Sequence, residues 1–364
     1  MSASRIDHPR IRVLVVDDSA FMRTALSRMI EGEPDLEVVA AAGCGSCALE
    51  KIAAFDPDVV TLDVSMPGLD GLATLRCIMN QFPRPVLMVS AATEKDAEIS
   101  FAALSSGAFD YVPKQMSASS LDIMHIRSNL VAKIRAAGQS RNQHFGSRNL
   151  SPKAPPSAGA TLHPTLSVAP EIVAIGVSTG GPRALEQILP RFPKNFSLPI
   201  LIVQHMPEGF TGSFAQRLDK LCSIRVHEAI DCESIQCGVA YIAPAGMHME
   251  VCRKLPSGKT SISLHRRPEN SPHIPSIDIL MKSVAEIFKS RSIGVIMTGM
   301  GSDGAEGISA IYRQGGLTVG QDEATCAVYG MPRVCAHLGV LSRVVPLHAI
   351  PVQIIQATRR RRDA

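Results

Sequence analysis

Long apolar runs are missing from this 364-residue chain. No stretch approaches the roughly 20 consecutive apolar residues that a membrane-spanning helix needs, which argues against a protein integral to the membrane. The segment Met1–Arg10 is polar and lacks the apolar core of a signal peptide. Charge of one sign is also scarce. Lys and Arg number 37 against 33 Asp and Glu, a formal net charge of +4, too small a surplus to point to nucleic acid. Cysteine is thinly spread: nine, an odd number, scattered along the chain, so no disulfide framework is expected. Cys44 and Cys47 form a single C-x-x-C with no second pair to complete a zinc site. Both are expected to be small packing residues. These absences together read as a cytoplasmic protein.

What remains is ordinary globular material, with 45% apolar and 19% charged residues. The length suffices for two domains, each with its own core. From Gly138 to Ser167 the chain loses apolar periodicity and becomes rich in Ser, Pro, Gly and Asn. That composition predicts a flexible linker, 138–167, between domains at 1–137 and 168–358, with a basic tail at 359–364. On both sides of the linker, β-branched runs alternate with amphipathic, helix-length segments, the pattern of a parallel α/β sheet. In the first domain the strands are expected at Arg12–Val16, Leu36–Ala40, Asp58–Leu62, Pro85–Val89 and Ala108–Val112, predicting a flavodoxin-like α/β fold. In the second they are expected at Ile172–Val177, Ile200–Val203, Val239–Ile242, Ile293–Met297 and Leu317–Val319. These predict a doubly wound, mostly parallel α/β sheet. Period-two alternation between Tyr241 and His265 adds an antiparallel hairpin.

Carboxylates gather at predicted strand ends of the first domain. Asp17 and Asp18 close the first strand and Asp63 the third. Ligands collect at the carboxyl ends of such strands. Three carboxylates there repel one another unless a cation holds them, and an oxygen-rich site of this kind suits Mg²⁺. Ser90 ends the fourth strand and Lys114 follows the fifth, a hydroxyl and an ammonium that complement phosphoryl oxygens. Taken singly, each strand-end Asp is more often a cap or a turn residue; the five positions together are not explained that way.

From about Arg10 to Ala136 the sequence resembles the receiver domains of two-component response regulators. The resemblance implies that Asp63 is the phosphoacceptor, and that Asp17, Asp18, Asp63 and the carbonyl of Ser65 hold Mg²⁺. It implies that Ser90 and Lys114 contact the phosphoryl group, that Tyr111 moves with Ser90 on activation, and that a histidine kinase is the phosphodonor. One position departs from the pattern: Gln115 stands after Lys114 where receivers usually carry proline.

The second domain opens with EIVAIGVSTGGPRALEQIL, an apolar strand leading through Gly176-Val177-Ser178-Thr179-Gly180-Gly181-Pro182 into a helix. Glycines permit the tight turn, and proline suits the first helical turn. Ser178 is thereby presented beside free N–H groups at a helix start, where developing negative charge is stabilised. The pattern fits G-x-S-x-G. A glycine-rich turn of this kind can instead bind phosphate, although neither a P-loop ending nor G-x-G-x-x-G is present. A serine nucleophile needs a base, and the base an orienting acid. Of the eleven histidines, His205 directly follows the apolar strand PILIVQ, one crossover from Ser178. Asp303 follows another apolar strand and a glycine-rich turn, and it is equally placed to cap a helix beginning near Ala305. The order serine, histidine, acid differs from the α/β-hydrolase order, which would pair Asp303 with His337 or His348. That fold is rejected while the chemistry is kept.

At this point the chain resembles the CheB family of chemoreceptor glutamate methylesterases. The blocks that carry the resemblance are GVSTGGP (176–182), QHMPEGFTGSFAQRLD (204–219), YIAPAGMHM (241–249), PSIDIL (275–280), MTGMGSDGAEG (297–307) and DEATCAVYGMP (322–332). The resemblance implies Ser178 as nucleophile, His205 as general base and acid, and Asp303 as orienting carboxylate. It further implies the backbone N–H of Met300 as an oxyanion donor, with Thr179 lining the pocket. The reaction implied is hydrolysis of glutamyl methyl esters on methyl-accepting chemoreceptors, releasing methanol, with deamidation of receptor glutamine and no cofactor at the hydrolytic step. An unphosphorylated receiver packed over the hydrolase site, and released by phosphorylation of Asp63, is part of the same implication. Two other outputs compete: a DNA-binding domain, for which only the tail ATRRRRDA speaks, and a nonhydrolytic receptor-binding adaptor, which would lack a triad member.

Overall fold

The computed structural model describes residues 10–90, 94–114, 120–140, 168–253, 258–269 and 271–359. The chain separates into two compact units, residues 1–154 and 155–364. Gln115, linker residues 141–167 and tail residues 360–364 lie outside the described residues.

The first unit alternates strand and helix throughout. In order it contains β1 (Ile11–Val16), α1 (Ala20–Glu31), β2 (Leu36–Ala42), α2 (Gly45–Phe55), β3 (Val59–Asp63), α3 (Gly71–Gln81), β4 (Val86–Ser90), α4 (Glu94–Ser105), β5 (Asp110–Pro113) and α5 (Ser120–Ser140). The five strands pair in parallel in the order β2-β1-β3-β4-β5, as the strand pattern predicted. β3 and β4 are buried at every position, because helices cover both faces of a parallel sheet. Polar caps start the helices: Ser19 Oγ accepts from the Met22 N–H, and the Asp70 carboxylate accepts from the Ala73 N–H at 2.7 Å. Val13, Val15, Leu26, Ile30, Leu87 and Ile134 belong to one core cluster under the sheet.

Two expectations are corrected in this unit. α5 continues to Ser140, so Gly138–Ser140 are helix rather than linker. Gly138 serves close packing there, since a β-carbon on it would lie 2.8 Å from Ile11 Cδ1. Cys44 and Cys47 are joined as a disulfide and are not two separate packing thiols. Cys44 is the N-cap of α2 and its sulfur accepts from the Cys47 N–H, so the spacing of one helical turn puts both sulfurs on one side.

The second unit contains β6 (Ile172–Val177), α6 (Gly181–Ile188), β7 (Ile200–Gln204), α7 (Thr211–Leu221), β8 (Arg225–Glu228), β9 (Val239–Ile242), β10 (His248–Arg253), β11 (Thr260–His265), α8 (Ile277–Phe288), β12 (Ser292–Ile296), α9 (Ala305–Arg313), β13 (Leu317–Gln321), α10 (Met331–His337), β14 (Arg343–Val345) and α11 (Ile350–Arg359). Seven strands form one parallel sheet in the order β14-β13-β12-β6-β7-β9-β8. The antiparallel pair β10–β11 stands apart as a sheet of its own and is tied to α8 by the Val251 N–H, which donates to Ser283 Oγ at 3.0 Å. The chain leaves β6 on one side to form β7 and returns on the other side as β12. This reversal opens a crevice at the carboxyl ends of β12, β6 and β7, where α/β sheets place their ligands.

Candidate active site

Ser178 is the first residue beyond β6, and its N–H donates to the Thr298 carbonyl at 3.0 Å. The turn that follows tolerates little but glycine. Gly180 sits at φ 75°, where a side chain is strained. At Gly181 a β-carbon would lie 2.0 Å from Gln204 Oε1. The approach is close because Gln204, 1% exposed at the end of β7, reaches under the turn. Its Nε2 donates to the Ser178 carbonyl at 3.0 Å and to the His205 carbonyl at 2.9 Å. One amide therefore clamps the backbone of both strand ends.

His205 and Asp303 complete a continuous hydrogen-bonded run. His205 Nδ1 lies 3.2 Å from Ser178 Oγ, and His205 Nε2 lies 2.8 Å from Asp303 Oδ2. With Nε2–H donating to the carboxylate, Nδ1 is left to accept the Ser178 hydroxyl proton. The side chains of His205 and Asp303 are 12% and 8% exposed.

Asp303 does act as a cap, but not for the helix that the sequence suggested. α9 starts at Gly304 without a side-chain cap. Asp303 instead turns to the start of α8, accepting from the Ile277 N–H at 2.8 Å, the Asp278 N–H at 3.0 Å and the Ser276 hydroxyl at 2.9 Å. Burial alone would raise its carboxyl. His205 and these backbone donors outweigh burial and hold Asp303 well below the usual carboxylate range. A second layer fixes the junction, as Ser276 N–H donates to Nδ1 of the fully buried His248 at 3.1 Å. Ile277 fills the space beneath. A β-carbon on Gly176 would lie 2.3 Å from Ile277 Cγ2, and one on Gly304 would lie 2.8 Å from the same atom.

Thr179 follows Ser178 directly, and the loop that carries Met300 comes up beside it. Gly299, just before Met300, is so close that a β-carbon on it would lie 2.7 Å from Ser178 Cβ. Its carbonyl accepts from the N–H groups of Gly330 and Met331, which hold the loop. Thr179 is 5% exposed, and its carbonyl accepts from Thr298 Oγ1 at 2.9 Å. An open cleft of about 550 Å³, bounded by Met206, Glu208, Gly246, Arg266 and Ile274, begins next to His205.

Sequence reasoning missed Gln204, Ser276, His248 and His273, whose ring stacks on His205 with centroids 4.3 Å apart and planes 16° apart. Gln204 ends an apolar strand next to His205, and that adjacency was a usable signal. Ser276 and His273 lie in NSPHIPSID, which reads as loop. His337 closes α10 and His348 lies in the short turn Leu347–Ala349. Among the described residues, His205 is the histidine hydrogen-bonded to both Ser178 and Asp303.

The first unit has its own polar centre. Asp17, Asp18 and Asp63 offer ligand oxygens all within 4.8 Å of one another. Asp17 and Asp63 are 0% and 2% exposed. Lys114 Nζ bridges them, 2.9 Å from Asp17 and 2.7 Å from Asp63. Burial and the Asp17 charge raise the Asp63 carboxyl above its usual range, against the pull of Lys114. Burial alone would lower the Lys114 ammonium, but the two carboxylates outweigh it and raise its pKa. The Ser65 N–H donates to Asp63 at 3.2 Å, which sets that backbone at the pocket edge. Ser90 is fully buried at the end of β4, and its carbonyl accepts from the Lys114 N–H at 2.7 Å. Tyr111 is 3% exposed and meets Phe101 edge-on, with ring centroids 6.4 Å apart.

Comparison with known proteins gives the family. Residues 173–354 match the family model described as CheB methylesterase, and residues 13–125 match that of the response regulator receiver domain. A protein of Oleidesulfovibrio alaskensis named protein-glutamate methylesterase/protein-glutamine glutaminase 1 is 44% identical over 367 aligned residues, covering 95% of this chain and 99% of the relative. A protein of Pyrococcus abyssi named protein-glutamate methylesterase/protein-glutamine glutaminase is 43% identical, covering 96% and 94% respectively. The crystal structure of the Thermotoga maritima CheB methylesterase catalytic domain superposes with a TM-score of 0.50 at 42% identity, covering 52% of this chain and 99% of that domain. With an N-terminal receiver domain and a serine, a histidine and an aspartate meeting at adjacent strand ends, this chain belongs to the CheB methylesterase family.

Proposed function

We propose that the chain hydrolyses glutamyl methyl esters on chemoreceptors, releasing methanol, and deamidates receptor glutamine, under the control of phosphorylation at Asp63. The observation that carries this reading is the run Ser178 Oγ to His205 Nδ1 and His205 Nε2 to Asp303. His205 takes the Ser178 proton as Oγ attacks the ester carbonyl. The carbonyl oxygen becomes an oxyanion, to which the Met300 N–H donates, with Thr179 beside it. One such donor contributes roughly 10²- to 10³-fold in rate. Collapse breaks the C–O bond, and methoxide leaves with the proton from His205 as methanol. Water then attacks the acyl-enzyme as His205 takes its proton; the C–Oγ bond breaks and His205 returns the proton to Ser178, leaving glutamate. With glutamine the leaving group is ammonia. Asp303 holds the imidazole tautomer and stabilises the imidazolium between the two proton transfers.

In the receiver, the hard oxygen set of Asp17, Asp18 and Asp63 fits Mg²⁺, with the Ser65 carbonyl as a further ligand. When bound, the ion neutralises charge on a phosphoryl group arriving at Asp63. Lys114 and Ser90 receive the phosphoryl oxygens, and Tyr111 follows Ser90. A histidine kinase in the cytoplasm is the phosphodonor. Among the described residues, no helix is long and apolar enough to cross a membrane.

Methanol release from methylated receptor membranes tests the reading. Wild type should release methanol faster with a small phosphodonor and Mg²⁺, and Ser178→Ala should release none above background. Equal release by Ser178→Ala would end the proposal.

A further inference from the structure

His273 lies outside the hydrogen-bonded run, yet its ring lies flat on His205, with centroids 4.3 Å apart and planes only 16° apart. The hydrogen bond to Asp303 fixes one corner of the His205 ring. It does little against a tilt of the ring about that bond, and such a tilt moves Nδ1 away from Ser178. The Nδ1 to Oγ distance is already 3.2 Å, longer than the 2.8 Å on the Asp303 side, so the serine side is where tilt costs most. A flat partner on the ring face resists that motion, because tilting breaks the stacked contact.

We propose that His273 is a positioning residue for hydrolysis, a planar cover that holds the His205 imidazole in line with Ser178 and keeps water off its face. The inference rests on the reading of Ser178 as the nucleophile.

Three observations support it. First, His273 itself is exposed while the His205 side chain is 12% exposed, so His273 lies on the solvent side of the pair. Second, its segment is anchored independently of the stack. The His273 carbonyl accepts from Ser271 Oγ at 2.9 Å, and the neighbouring Ile274 carbonyl accepts from the Gly246 N–H. Three residues further on, Ser276, Ile277 and Asp278 supply the donors to Asp303. A single stretch thus carries both the cover for the base and the cradle for its acid. Third, partial burial and then the His205 ring hold the pKa of His273 below its ordinary value, with Asp303 pulling the other way. A neutral ring can face the imidazolium that forms on His205 without adding a second charge, and its π face is attractive to a cation.

The requirement is planarity rather than a titrating nitrogen, and this separates the proposal from a general structural role. His273→Ala should lower kcat about tenfold with KM within about twofold, since small misplacements of a reacting group are costly. His273→Phe should restore kcat to within about twofold of wild type, whereas His273→Leu, bulky but not flat, should behave like alanine. The same variants are labelled with a serine-reactive phosphonate, which reads Ser178 activation without any receptor. Labelling should slow in the alanine and leucine variants and recover in the phenylalanine variant. Wild-type rates in His273→Ala, or phenylalanine no better than leucine, would overturn the proposal. If wild type labels at Ser178 in this pattern but releases no methanol, the substrate assignment fails while the positioning role stands.

Discussion

The receiver pocket and the hydrolase centre occupy the same address in two parallel sheets, the carboxyl ends of strands beside a reversal of strand order, yet they treat a buried aspartate in opposite ways. Asp63 is buried and crowded by Asp17, with the Lys114 ammonium and the Ser65 N–H as its donors among the described residues, and its carboxyl is raised. Asp303 has a histidine, a hydroxyl and two backbone N–H groups around it, and its carboxyl is held well below the usual range. The difference follows from the donors, since both groups are buried. A carboxylate short of donors is ready to accept a cation and a phosphoryl group. A carboxylate saturated with donors stays charged, which is what the role proposed for Asp303 requires.

The contrast can be broken most sharply at Asp303. Asp303→Asn keeps the shape but inverts one hydrogen bond, favouring the wrong tautomer of His205. kcat for methanol release should fall by about 10⁴-fold. The next effect is on stability. A depressed carboxyl contributes stability that is complete above its unfolded pKa, about 3.9, and is lost as pH falls toward the folded value. Denaturant titrations should therefore show wild type more stable than Asp303→Asn by about 2 kcal/mol at pH 7, with the gap closing below about pH 4. A gap that widens in acid would contradict the donor-saturated description. Gln204→Leu removes the clamp on the Ser178 and His205 carbonyls and should lower kcat about tenfold, with little change in KM. The smallest effect belongs to the receiver. Lys114→Met removes the ammonium group that faces Asp63, and the Asp63 carboxyl should rise further in a carbon-13 titration.

Much of this contrast was legible in the sequence because strand-end positions follow from local pattern. VLVVDDS, VVTLDVS and IVAIGVSTGG each announce an apolar strand and the polar residue that ends it. What escaped was decided at a distance. Asp303 reads as the cap of the helix that follows it, but Gly304 starts α9 uncapped and the carboxylate serves α8 instead. β8 and β14, RVHE and RVV, lie at the two edges of the sheet and are too short and polar to stand out. Gly138 looked like linker flexibility and is a packing contact with Ile11. Cys44 and Cys47 read as small packing residues, and the helix start between them brings their sulfurs together.

Ile277 links three positions that are far apart in the chain. Its side chain fills the space that a β-carbon would need at Gly176 beneath Ser178, and again at Gly304 before α9. Its own N–H is one of the donors to Asp303. For anyone diversifying this enzyme, residues 176, 277 and 304 therefore form one locus rather than three. A library that enlarges Gly176 alone will be dead at almost every variant, whereas pairing it with a smaller residue at 277 reopens the space while leaving the backbone donor in place.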